Sequence, residues 1–263
     1  DCSFYYSKEG IKEIDIPMEE IMGRDYNFLS MKRGKSGRVF FILAAITVLY
    51  ILYHYEGSAD FYLKYFNKST SFLKAQAASV YYQRSMALFL LGIIPMIIIR
   101  VGFKERLIDY GFKLPEGLLS LFVILLGILI VTPLVYFGAK RPEFIEIYPA
   151  IENARSGVNG FIVSSVFYFF YYVGYEFCFR GFILFGIRDA YGDVPAIAVS
   201  LALTTILHIT QPQSETLMAL VAGLIFPILV FRFRSIIPSL LIHAYVGIAL
   251  DYWIIMGRGG FGF

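Results

Sequence analysis

The chain has 263 residues, of which 58% are hydrophobic, 18% aromatic and only 16% charged, and its formal net charge is +3. Soluble domains average roughly 25% charged and 45–50% apolar residues, so the composition excludes an ordinary soluble fold and predicts one all-α, polytopic transmembrane helix bundle. The small net charge does not imply nucleic acid as a partner, and its Lys and Arg lie in loops; two distant cysteines, Cys2 and Cys178, with no CxxC or Cys/His spacing, signal neither a disulfide scaffold nor a structural zinc site.

Residues 1–38 form a polar segment of mixed charge that ends in Lys32, Arg33, Lys35 and Arg38. It starts at Asp1 without an initiator Met, which suggests trimming, and shows no signal-peptide cleavage pattern. Residues 39–157 are expected to hold the N-terminal membrane helices and their loops. Within them a first apolar run covers 39–55, a polar-aromatic stretch follows over 56–84, and a second run covers 86–102. Pro95 sits inside that second run, where neighbouring helices can satisfy the carbonyl it frees. A third run, 118–138, has a length and composition that read directly as a span.

Residues 158–256 hold four further runs, at 158–188, 195–209, 216–231 and 236–256, and residues 257–263 form a tail. The expectation is thus about seven spans, with room for an eighth. About two-thirds of the 23 Lys and Arg fall on the side of the N-terminus, so the positive-inside rule places the N-terminus inside and the C-terminus outside.

Ionisable side chains inside such runs are expensive, and they persist where they have a partner or a task. Glu176 and Arg180 stand four apart in "VGYEFCFRGF" and share one helix face. His208 and His243 lie in the next helices. If the helices joined near Gly192 form an antiparallel hairpin, Glu176 and His208, each sixteen residues from that turn, reach one depth about 24 Å away. By the same counting His243 sits nearer its own turn, and bringing it to the others requires tilt or turns at different heights.

Order and spacing of these residues resemble the CPBP group, which contains CAAX prenyl proteases, their bacterial relatives, and bacteriocin-processing or immunity proteins. The resemblance covers roughly 158–256. The family's EExxxR motif reads "YEFCFR" here, with Glu176 and Arg180 matched and Tyr175 in place of the leading Glu. Its FxxxH motif reads "TTILH", with His208 matched and Thr204 replacing Phe. Its third motif, His followed four residues later by Asn or Asp, reads "HAYVG", with His243 matched and Gly247 at the polar position. Asp251 lies about 12 Å beyond His243 and is rotated by about 80°, so it does not stand in for residue 247.

What the resemblance implies is an intramembrane endopeptidase, in which glutamate-activated water cleaves a peptide or protein substrate at the membrane. Tyr175 is a poor base at neutral pH, since the reference pKa of tyrosine is about 10, which leaves Glu176 to activate the water. His208 and His243 would then orient the water and stabilise the oxyanion, while Arg180, Tyr175, Thr204 and Asp251 support the site. The family implies no cofactor, although Glu176, His208 and His243 also have the composition of a His₂Glu zinc site. The lost Glu and the Gly at 247 support a second reading, a non-catalytic immunity or scaffolding protein. A third, a small-solute or proton-coupled transporter, would use the same residues as a relay but lacks the internal repeat common in transporters. A bacterial-type chain of this kind belongs in the inner membrane.

Overall fold

The computed structural model describes residues 34–262. The polar segment up to residue 33, with Cys2, Lys32 and Arg33, lies outside the described residues, while Lys35 and Arg38 open the first helix. Eight principal helices follow: α1 Lys35–Tyr55, α2 Ala59–Tyr65, α3 Phe72–Phe103, α4 Leu118–Gly138, α5 Val158–Tyr191, α6 Asp193–Ile206, α7 Gln213–Phe233 and α8 Ile237–Gly257. Among the described residues there is no strand.

Six of these helices, α1, α3, α4, α5, α7 and α8, are long and apolar enough to cross a membrane, and the chain is an integral membrane protein. The fifth expected span is the 14-residue α6. At 1.5 Å per residue it covers about 21 Å, short of a hydrocarbon layer of about 30 Å. The second span is much longer than its apolar run, because the polar-aromatic stretch before it is helical from Phe72 and also forms α2. Wide, π-helical turns at Leu88–Ile93 and Ile98–Phe103 flank Pro95, whose missing N–H interrupts the regular ladder.

α5 is the axis of the bundle. Every residue from Gly174 to Ile187 is buried, so the helix is covered on all sides at that level. α3 and α8 pack along it, α1 covers its C-terminal third, and α4 is held chiefly by α8. The approach of α3 requires Gly174. A Cβ there would lie 2.8 Å from the carbonyl carbon of Ala87 and 2.9 Å from the Cα of Leu88. Small residues at such crossings let backbones meet where no hydrophobic effect draws helices together.

Polar clusters tie each end of the bundle. At the end where α1 begins, Arg38 donates to both carboxylate oxygens of Glu105, at 2.8 and 2.5 Å, and also to the Tyr110 hydroxyl. Burial and the Glu105 carboxylate push the Tyr110 hydroxyl well above its ordinary pKa, so it remains protonated and donates to Glu105. The corner between α7 and α8 docks there too: Ile236 N–H donates to Gly111 O at 2.9 Å and Ser235 Oγ to Lys113 O at 2.5 Å. At the opposite end, Tyr82 donates to Glu56 O, and Glu152 N–H to the side chain of Gln76.

Gly174→Ala is expected to lower stability in detergent by about 1–3 kcal/mol, the usual cost of overpacking a close contact. Thermal denaturation followed by circular dichroism measures it. An unchanged melting temperature would show that α3 and α5 are not locked at this crossing.

Candidate active site

Glu176 and Arg180 lie where α5 passes into a wide segment, Phe177–Ile183, and their side chains are 0% and 2% exposed. The two oxygens of Glu176 have different partners. Oε1 is 2.7 Å from Nδ1 of His243, and Oε2 is 3.8 Å from Nε of Arg180. At 3.8 Å, that side of the pair is a charge contact rather than a hydrogen bond. The guanidinium also lies 5.6 Å from the ring centre of Tyr175 and 5.9 Å from that of Phe226.

His243 reaches this level because the two turns are at different heights. Ser235 and Ile236, at the α7–α8 corner, are fully buried against the loop after α3, whereas Tyr191 to Asp193 are exposed. α8 therefore starts deeper in the bundle than α6. Tyr172, at 4.6 Å, Tyr175, at 5.5 Å, and Phe226, at 5.8 Å between ring centres, enclose the His243 imidazole.

His208 lies two residues beyond α6, in the turn toward α7. Its Nδ1 donates to Thr204 O at 2.7 Å, and its own carbonyl accepts from Thr216 Oγ1 at 2.5 Å. Thr204 is buried, and its hydroxyl donates back to Ser200 O at 2.8 Å, so it shapes the end of α6. The Tyr175 ring contacts both histidines, 6.2 Å from His208 and 5.5 Å from His243 between ring centres, and its hydroxyl is buried.

A cavity of about 930 Å³ reaches the site from the end of the bundle that carries α2. Tyr175, His208 and His243 line it; Glu176 and Arg180 do not. The structure thus brings Glu176, Arg180, His243 and Tyr175 together, with His208 against the Tyr175 ring. Asp251 is left apart: it is buried further along α8, does not line the cavity, and its Oδ1 has no hydrogen-bond partner among the described residues. Among the described residues no three His, Cys, Asp or Glu side chains are grouped so as to hold a metal ion. Glu176 and His243 meet through Nδ1, and Tyr175 contacts both histidine rings.

Two cavity residues were not singled out by the sequence. Tyr172 lies in the cavity wall with its hydroxyl against Gly247, in the space that a side chain at position 247 would occupy. Its signal was the tyrosine spacing 168, 171, 172, 175, which is a helix face. Arg84 falls in the stretch expected to lie outside the membrane, yet it is only 5% exposed within α3. It donates to the carbonyl and hydroxyl of Ser164, and its guanidinium stands 3.9 Å from the ring centre of Tyr168.

What this arrangement can do chemically is hold water beside two imidazoles at mid-depth in the bundle, with a buried carboxylate behind one of them. No curated protein and no solved structure gives a match to the chain. Residues 149–249, which run from the loop before α5 into α8 and include every candidate site residue except Asp251, match the family model described as Type II CAAX prenyl endopeptidase Rce1-like, the family that the motifs around Glu176, His208 and His243 resemble.

Proposed function

We propose that the protein is an intramembrane endopeptidase of the CAAX protease type, cleaving a peptide or protein substrate at the membrane with water whose activation depends on Glu176. The observation that carries this reading is the convergence of Glu176, Arg180 and His243 beside a cavity that also holds His208 and Tyr175. A charged carboxylate in the middle of a membrane bundle needs a reason, and a proton-transfer site at the floor of a cavity supplies one. With the N-terminus inside, as the charge distribution favours, the cavity opens at the outer face of a bacterial inner membrane. No metal is required by this reading: His208 and His243 line the cavity and position the water.

A second reading, a non-catalytic immunity or scaffolding protein, is favoured by one feature. Tyr175 occupies the cavity-lining position next to Glu176 with an aromatic ring, and Glu176 itself is turned away from the cavity.

The test is hydrolysis of a fluorogenic peptide with a farnesylated C-terminal CAAX sequence, and of its unprenylated form, by the purified chain in detergent. Glu176→Gln is expected to lower the rate by at least about a hundredfold, the usual scale of acid–base catalysis. Equal rates in parent and variant would sink the reading. Tyr175→Glu, which puts a carboxylate on the cavity wall, is expected to raise the rate; a parent that is inactive while Tyr175→Glu cleaves would establish the second reading instead.

Arg180→Ala separates structure from chemistry. It removes a long buried side chain and leaves the Glu176 charge without its guanidinium, a change that typically costs about 3–5 kcal/mol. Glu176→Gln is nearly isosteric, so the folded yield of Arg180→Ala in detergent should fall below that of Glu176→Gln. Size-exclusion profiles of the two variants compare them directly, and equal yields would show that the pair does not hold the bundle.

A further inference from the structure

Both cavity-lining histidines have one ring nitrogen already committed, and this fixes what the other can do. His208 Nδ1 faces the Thr204 carbonyl at 2.7 Å. A carbonyl only accepts, so the proton is on Nδ1 and Nε2 carries a lone pair. His243 Nδ1 faces Glu176 Oε1 at 2.7 Å, and an ionised carboxylate also only accepts. The same tautomer follows, with Nε2 of His243 on the side away from Glu176. His243 lines the cavity and its side chain is 20% exposed, whereas Glu176 is 0% exposed and absent from the cavity wall. Cavity water therefore meets His243 before it can meet Glu176.

We propose that Nε2 of His243 is the proton acceptor for the attacking water, and that Glu176 is a positioning residue behind it, which fixes the ring through Nδ1 and stabilises the imidazolium as it forms. The inference rests on the peptidase reading above and reassigns the base within it. Water gives one proton to Nε2 as its oxygen bonds to the carbonyl carbon of the scissile peptide. The tetrahedral oxyanion collapses, the carbon–nitrogen bond breaks, and the imidazolium returns its proton to the departing amine. The products are a carboxylic acid and an amine, and His243 ends as it began. The rings of Tyr172, Tyr175 and Phe226 around the imidazole leave it little freedom to turn. Arg180 takes the other oxygen of Glu176 and so keeps Oε1 free for the histidine.

The chain contains only three histidines, so its imidazole nitrogens are resolvable by NMR. Full-length protein labelled with nitrogen-15 histidine, in detergent micelles at neutral pH, is expected to show His243 with a protonated Nδ1 and a bare Nε2, and a downfield Nδ1 proton that moves upfield in Glu176→Gln. The prenylated fluorogenic peptide gives the second readout. His243→Ala should abolish cleavage and recover part of it in added imidazole, while Glu176→Gln should keep a measurable residue of activity with little change in KM. A His243 protonated at Nε2 with a bare Nδ1 overturns the inference. Cleavage lost in Glu176→Gln but kept in His243→Ala also overturns it, and leaves the peptidase reading standing. Cleavage indifferent to both substitutions, or none in the parent, overturns the peptidase reading itself and with it the catalytic role of His243.

Discussion

The carboxylate of Glu176 is the constraint around which the bundle is organised. A fully buried charge survives only if its partners are delivered to it, because desolvation costs several kcal/mol that an unpaired ion does not recover. One partner is local, Arg180, a single helical turn along α5. The other, His243, arrives from α8, sixty-seven residues further along the chain. That second contact dictates where α8 begins. The α7–α8 corner must sink into the protein, and Ser235 and Ile236 are accordingly buried and bonded to the loop around Gly111 and Lys113. The polar cluster of Arg38, Glu105 and Tyr110 at the same end braces that loop from the side of α1.

α5 has to be approachable from several directions, and its sequence shows how this is done. Gly174 lets α3 come to backbone contact just before Tyr175 and Glu176. Immediately afterwards the helix widens over Phe177–Ile183, the segment that carries Arg180. A wide turn alters the angular offset between residues, and such insertions recur at functional positions in helices. In this helix it lets Glu176 address α8 while the guanidinium of Arg180 stays close enough to share the charge and to lie near the rings of Tyr175 and Phe226.

Much of the architecture was legible in the sequence because the membrane imposes length and polarity together. The helix 118–138 was read to the residue, and the runs that became α5, α7 and α8 were placed within a few positions. The pairing of Glu176 with Arg180 followed from helical spacing alone. The misread portions share one cause. Amphipathic segments that bury polar groups inside a bundle look, in sequence, like segments outside it. Residues 72–85 of α3 are the example: Arg84 reads as a loop charge until Ser164 and Tyr168 are seen to receive it. The depth of His243 could not be counted from its turn, since turn height is a tertiary property. Nor could the fit of the Tyr172 hydroxyl against Gly247, which joins residues of different helices.

The tyrosines of the cavity address a problem that any polar cavity inside a membrane bundle has to meet, which is to admit water without exposing unsatisfied polar surface to lipid. A phenol offers an apolar flank for packing and a hydroxyl for hydration, and it needs no counter-ion. Tyr168, Tyr171, Tyr172 and Tyr175 line one face of α5 from the cavity interior to the histidines, and Tyr148 faces them from the loop before that helix. Burial above all, with Glu215 beside it, holds the Tyr148 hydroxyl far above its ordinary pKa, so it remains a donor and bonds both oxygens of that carboxylate, at 3.1 and 3.2 Å. In one part of the cavity, then, a protonated phenol satisfies an acidic group; beside His208 and Tyr175, an imidazole does the same for Glu176. Both arrangements keep a carboxylate paired beside the cavity, and only for Glu176 is the pairing group one that can take up a second proton on its other nitrogen.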